Sequence, residues 1–137
     1  MEKLINDPDR VWHFLKDIGV PVMYSAGMQG IGREIDGGLV GAVLYEGYTT
    51  NNIFMHCAGR GKRWISKSLL KAAFAYPFKQ LSCKRITAWV EDSNVDSKRL
   101  VEHIGFEVET MLKGAAHDGG DVILYVMWRD KCRFLKD

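Results

Sequence analysis

Cysteine is scarce in this chain: three among 137 residues, Cys57, Cys83 and Cys132, with no C-x-x-C pair. An odd number without metal-ligand spacing excludes a disulfide framework, leaves no metal site to expect, and reads as reduced thiols in a cytoplasm. Proline is equally rare, at three residues, and no low-complexity tract or repeat interrupts the chain. Residues 1–137 therefore read as a single domain, long enough to bury roughly two thirds of its unfolded surface. No apolar run approaches the ~20 residues of a membrane-spanning helix, which points away from a membrane partner. The longest, Leu39–Tyr45, has a glycine inside it. The opening MEKLINDPDR is polar and acidic, so no signal peptide is expected.

Acidic residues are missing from one long stretch. None falls between Glu46 and Glu91, whereas Arg60, Lys62, Arg63, Lys67, Lys71, Lys79, Lys84 and Arg85 all do. A formal net charge of +2 is too small to argue for wholesale coating of a nucleic acid. A block of one sign still sets up a local positive potential, and something anionic is expected there.

What is present begins with Val11, Phe14, Leu15 and Ile18 at helical spacing, predicting a helix over Asp9–Ile18 that Gly19 stops. Three short strands are expected next, Met28–Glu34, Leu39–Tyr45 and Asn52–Cys57, folded as a meander around Asp36-Gly37-Gly38 and Glu46-Gly47. Ile65, Leu69, Ala73 and Phe78 make a second apolar stripe, on a helix that Pro77 ends or kinks near Tyr76. Arg85–Glu91 alternates as a strand, and Asp96–Ile104 is a short helix that Gly105 suits as a left-handed cap. A second hairpin, Glu107–Lys113 with Asp121–Trp128, closes around the HDGGD turn. The order predicts a mixed α/β domain of the α+β type.

Two glycines, Gly59 and Gly61, stand with Arg60, Lys62 and Arg63 where the third strand gives way to the second helix. A helix start leaves N–H groups without partners at the positive end of its dipole, and glycine lets backbone approach an anion closely. The stretch reads either as a phosphate cradle or as a basic, solvated helix start whose glycines only make the turn. It is not a Walker loop, because G-x-x-x-x-G-K-S/T is absent.

Downstream, Asn94, Ser97, Gly105 and Phe106 match N-x-x-A/S…G-F in residue and spacing. With the element order from about Val11 to Trp128, this resembles the GNAT superfamily of acyl-CoA-dependent N-acyltransferases. The branch that acetylates the N-termini of ribosomal proteins is similar in its Gly-Phe, D-G turn (Asp118-Gly119) and D-x-x-x-Y strand (Asp121 to Tyr125). The resemblance implies a mostly antiparallel sheet with a splayed strand pair, three to four flanking helices, and acetyl-CoA as donor. The first motif, R-x-x-G-x-G/A, departs from pattern: counted from Arg60, the glycine positions hold Arg63 and Ile65, with Trp64 and Ser66 in the first turn.

The resemblance implies roles. Backbone N–H groups near Met55 to Cys57 would polarise the thioester carbonyl. Arg60, Gly61, Lys62, Arg63, Trp64, Ile65 and Ser66 would meet the cofactor's phosphates. Asn94 would bond the pantetheine arm, although an asparagine there equally caps the following helix. Ser97 would return a proton to the leaving thiolate; many family members use a Tyr at the position that Val101 holds. For the base, His56 stands at the end of a strand beside the expected thioester, and an imidazole titrates near neutrality. Glu91, His117 and Asp118 compete for that role. Trp12, Trp89 and Trp128 read as packing.

The implied function is acetyl transfer to a primary amine (a protein N-terminus, a lysine or a small amine), with the acceptor unspecified and the enzyme a monomer or homodimer. The rival is a weak or inactive module of the same fold that binds nucleic acid, the less favoured partner, or an acidic protein through its basic face.

Overall fold

The computed structural model describes residues 1–135. Its strands are β1 (Glu2–Ile5), β2 (Gln29–Ile35), β3 (Gly38–Glu46), β4 (Asn52–Gly59), β5 (Arg85–Glu91), β6 (Glu107–Leu112) and β7 (Val122–Trp128); its α-helices are α1 (Pro8–Asp17), α2 (Lys67–Ala75) and α3 (Val95–Ile104). The seven strands form one sheet in the order β1-β2-β3-β4-β5-β7-β6. Every neighbouring pair is antiparallel except β4 with β5, which run parallel. The expected α+β class, meander and terminal hairpin are all present. Strand β1 was not anticipated: its four residues pair Glu2–Ile5 with Ile35–Gly32 and extend the meander by one edge.

Local chemistry explains the helices. Asp7 accepts from the Arg10 N–H at 3.1 Å and Pro8 occupies the first turn, so α1 starts one residue before the apolar pattern predicts. Gly105 closes α3 with φ of 119°, the left-handed cap its position suggests. The α-helical part of α2 ends at Ala75 and continues as a π-helical turn over Tyr76–Gln80. Pro77 has no N–H for the carbonyl four residues before it, that of Ala73. The buried Tyr45 hydroxyl donates to that carbonyl instead, at 2.5 Å.

Alternation along β3 and β4 divides the interior in two. Val43, Tyr45, Ile53 and Met55 pack with Leu69, Ala73 and Phe74 of α2 and with Val101 and Ile104 of α3. Ala42 and Leu44 pack with Val11, Phe14 and Leu15 of α1 on the opposite face. By the same alternation Phe54, His56 and Ala58 belong to the α1 face, and Cys57 to the α2 face. Residues Arg133 and Phe134 tie the α2 and α3 layer down: Phe134 stacks on Phe74 with centroids 5.2 Å apart, and Arg133 donates to the Ile104 and His103 carbonyls at 2.8 and 2.9 Å.

Candidate active site

Parallel pairing of β4 with β5 is brief. The register runs from Asn52↔Arg85 to Met55↔Ala88 and then stops. Beyond it β4 stays with β3 through Gly41↔Gly59, and β5 stays with β7 through Glu91↔Val122. The two strands part, and the β5-side backbone groups of β4 past Met55 have no strand partner. A cavity of about 1420 Å³ fills the opening, more than the ~300–1,000 Å³ of common ligand pockets. Its walls are Met55, His56 and Cys57 on one side, Ala88 to Glu91 on the other, and Asn94, Ser97 and Val101 of α3.

Of the residues singled out in the sequence, Met55, His56, Cys57, Trp64, Ile65, Asn94 and Ser97 line this cavity. Arg60, Gly61, Lys62, Arg63 and Ser66 sit on the loop and helix start beyond its wall. Lys62 and Arg63 are exposed to solvent, while the Arg60 guanidinium lies 5.4 Å from the Phe14 ring centroid and its N–H binds the Val40 carbonyl at 2.8 Å.

The glycines of this loop serve different ends. Gly41 and Gly59 are register partners on β3 and β4, and together they seat the Trp64 side chain. A Cβ on Gly59 would fall 2.1 Å from Trp64 Cγ, and one on Gly41 would fall 2.6 Å from its Cε3. Gly61 has φ of +73° and open space around it, so it makes the turn. Gly59 is thus required by the indole that packs on it. Arg33 fixes the loop from β2, donating to the Arg63 and Trp64 carbonyls at 3.0 and 3.3 Å.

At the start of α2 the Ser66 hydroxyl caps the helix, accepting from the Leu69 N–H at 3.1 Å. Glu2 of β1 reaches this turn, its carboxylate bonded to the Ser68 hydroxyl and to Arg33. Hydrogen bonds from Ser66, Ser68 and Arg33 hold the Glu2 carboxyl down at about 2. A negative charge supplied by the chain itself therefore stands beside the first turn of α2.

On the α1 face, His56 Nε2 lies 2.6 Å from Glu46 Oε2, and both side chains are mostly buried. The hydrogen bond from His56 pulls the Glu46 carboxyl below its ordinary range. An ionised carboxylate only accepts, so Nε2 carries the proton of this hydrogen bond, while Nδ1 has no hydrogen-bond partner among the described residues. The other base candidates have partners of their own. Glu91 holds His117 through Nδ1 at 2.6 Å and the backbone N–H at 2.8 Å, which raises the His117 imidazole. Asp118 accepts from the Gly120 N–H at 2.9 Å, the main reason its carboxyl is lowered. Burial pushes the Cys57 thiol up to about 11, leaving it protonated and a poor nucleophile at neutral pH. Asn94 caps α3, its side-chain oxygen accepting from the Ser97 N–H at 3.1 Å, and the capping arrangement turns both residues onto the cavity.

Sequence reasoning placed Glu46 only at a turn between two strands and missed it as the partner of His56. The signal was the hairpin register: His56 opposes Leu44, which puts residue 46 on the same face at a diagonal.

No family model matches the chain, and no curated protein matches it. Solved structures do. A spermidine N-acetyltransferase SpeG mutant from Vibrio cholerae superposes with a TM-score of 0.78 at 18% identity, over 98% of this chain and 96% of that one. Ard1 from Thermoplasma volcanium gives 0.73 at 12% identity, over 93% and 97%. A GNAT-family acetyltransferase from Bacillus anthracis gives 0.62 at 20% identity, over 74% and 66%. With its parted parallel strands inside an otherwise antiparallel sheet, this chain has the fold of the GNAT N-acetyltransferases.

Proposed function

We propose that the chain is an acyl-CoA-dependent N-acetyltransferase that moves an acetyl group from acetyl-CoA directly to a primary amine. The observation that carries this reading is the cavity between β4 and β5, which joins unpartnered strand backbone, the His56–Glu46 pair and Ser97 in one space. The same residues fit the donor. The open β4 edge past Met55 offers backbone groups to a pantetheine arm, Asn94 borders that path, and Arg60 to Ile65 with Ser66 stand at the end where phosphates would lie. When bound, acetyl-CoA supplies an activated acetyl group.

The chain's own residues then move protons and orient the reactants. His56 takes the amine proton on Nδ1, and Glu46 holds the resulting imidazolium through Nε2–H. Backbone N–H groups of β4 stabilise the charge that develops on the carbonyl oxygen. The C–N bond forms as the C–S bond breaks, and the Ser97 hydroxyl, re-protonated from water, gives a proton to the departing sulfur. Such acid–base assistance is worth about 10²–10⁴-fold. The protonated Cys57 thiol favours this direct route over an acyl-cysteine. Charge distribution also favours it over a basic docking face. Arg85, in register with the start of β4, is bound by Glu109 at 2.6 Å, whereas Arg60 follows the other end of the strand.

The test is a thermal-melt titration with acetyl-CoA beside ADP and a salt-matched blank. Ligand at 100 times its dissociation constant stabilises by about 2.7 kcal/mol, a rise of several degrees for this size. Saturable stabilisation above that by ADP supports the donor site. No shift at millimolar acetyl-CoA overturns it.

A further inference from the structure

The cavity continues onto the α1 face, past His56, to a wall that the transfer chemistry does not use. Trp12 of α1, Val22, Met23 and Tyr24 of the following segment, and Phe54 of β4 line it. Met23 and Tyr24 are 84% and 59% exposed. The segment that carries them is pinned: the Trp12 indole donates to the Val22 carbonyl at 3.0 Å, the Val20 N–H binds the Leu15 carbonyl at 2.9 Å, and Tyr24 meets Trp12 edge to face at 5.5 Å. Large apolar side chains held in place at the mouth of a polar site mark a ligand surface.

Resting on the acetyltransferase reading, we infer that the acceptor is a primary monoamine bearing an aromatic or bulky apolar substituent, its nitrogen at His56–Glu46 and its substituent against the Trp12–Tyr24–Phe54 wall. Charge decides the number of ammonium groups. Among the described lining residues the carboxylates are Glu46, Glu91 and Asp96. Glu91 is taken by His117, and Asp96 lies on the first turn of α3, across the opening from the α1 face. Glu46, the partner of His56, is the one carboxylate of this lining on the α1 face, so the nitrogen at that pair is the single ammonium it can compensate. Lys16 is the only lysine or arginine in the described lining, and its ammonium stands 5.2 Å from the Trp12 ring centroid. A second ammonium along this wall would meet that charge and apolar carbon, with no carboxylate to pair with. A polyamine is therefore a poor fit, whereas an aromatic ring gains stacking and apolar burial. The balance is R–NH3⁺ plus acetyl-CoA giving R–NH–acetyl, free CoA thiol and one proton, which leaves through His56.

The experiment measures release of the CoA thiol with 2-phenylethylamine, ethylamine and spermidine, after acetyl-CoA binding has been established separately by thermal melt. The expected result is a kcat/KM for 2-phenylethylamine at least tenfold above both others. Tyr24→Ala, a change at an exposed position, should raise KM for 2-phenylethylamine severalfold while kcat and the acetyl-CoA melting shift stay unchanged. Spermidine turning over as well as 2-phenylethylamine, or ethylamine equalling it, overturns the acceptor assignment while the donor reading stands. Absence of both a melting shift and thiol release with any amine overturns the acetyltransferase reading, and this inference with it.

Discussion

Gly59→Ala tests how the loop at the start of α2 is held. The added methyl would sit 2.1 Å from Trp64 Cγ, 2.3 Å from Cδ2 and 2.4 Å from Cβ, against the ~3.5–4.0 Å of a normal carbon contact. Rotating the indole cannot relieve the last of these, because Cβ moves only with the backbone. That backbone is tied to Arg33 through the Arg63 and Trp64 carbonyls. The loop must lift by more than an ångström, at an overpacking cost of about 1–3 kcal/mol. The decisive comparison is a double-mutant cycle with Trp64→Gly, which removes all three clashing atoms. In that background the three nearest contacts are gone, and a strand alanine is about 0.5–1 kcal/mol better than glycine. The coupling should therefore exceed about 1.5 kcal/mol, read from urea unfolding of the four proteins at constant m-value. Costs that simply add, within about 0.5 kcal/mol, would refute the seat formed by Gly41 and Gly59.

Four other outcomes are expected. Tyr45→Phe should orphan the Ala73 carbonyl behind Pro77 and lose about 1–3 kcal/mol, measured by chemical denaturation; a loss within error would show that the π-helical turn satisfies that carbonyl unaided. The Glu2 carboxyl is held at about 2 against an ordinary 4.5, so its stabilisation is complete above the higher value and disappears as pH falls toward the lower one. Glu2→Gln should accordingly flatten the pH–stability curve in that window, and an unchanged curve would remove Glu2 from the helix start. His56→Ala should lower kcat by about 10²-fold or more with the acetyl-CoA melting shift retained, and Glu46→Gln should weaken the same step by leaving the imidazole tautomer unfixed. Undiminished turnover in His56→Ala would move the base elsewhere.

Features whose causes lie within a few residues were legible without coordinates. Val11, Phe14 and Leu15 recur at helical spacing and are the side chains α1 buries. Gly105 is the left-handed residue that ends α3, and turn residues between short apolar runs define the β2–β4 meander. These follow from backbone sterics and periodicity, which act locally. The match of Asn94, Ser97, Gly105 and Phe106 to a known spacing supplied the expectation of the fold, and the sheet with its parted pair carries it. Strand β1 escaped because four residues hold too little pattern; its place comes from pairing with Gly32–Ile35, and the bond from Ser68 to Glu2 spans 66 positions.

The site belongs to the other category. The sequence alone determined the candidates for the chemistry: His56, Ser97 and Asn94, and a basic loop between a strand and a helix. Tertiary structure alone decided that β4 leaves β5 after Met55, that Glu46 rather than Glu91 orients His56, and that Glu91 and His117, 26 positions apart, satisfy each other. It also decided that Gly59 makes room for the Trp64 side chain. The physical reason is that helices and turns are set by short-range sterics and hydrogen bonds. Side-chain partners, cavities and their charges are set by sheet register, which brings together residues that no local pattern connects.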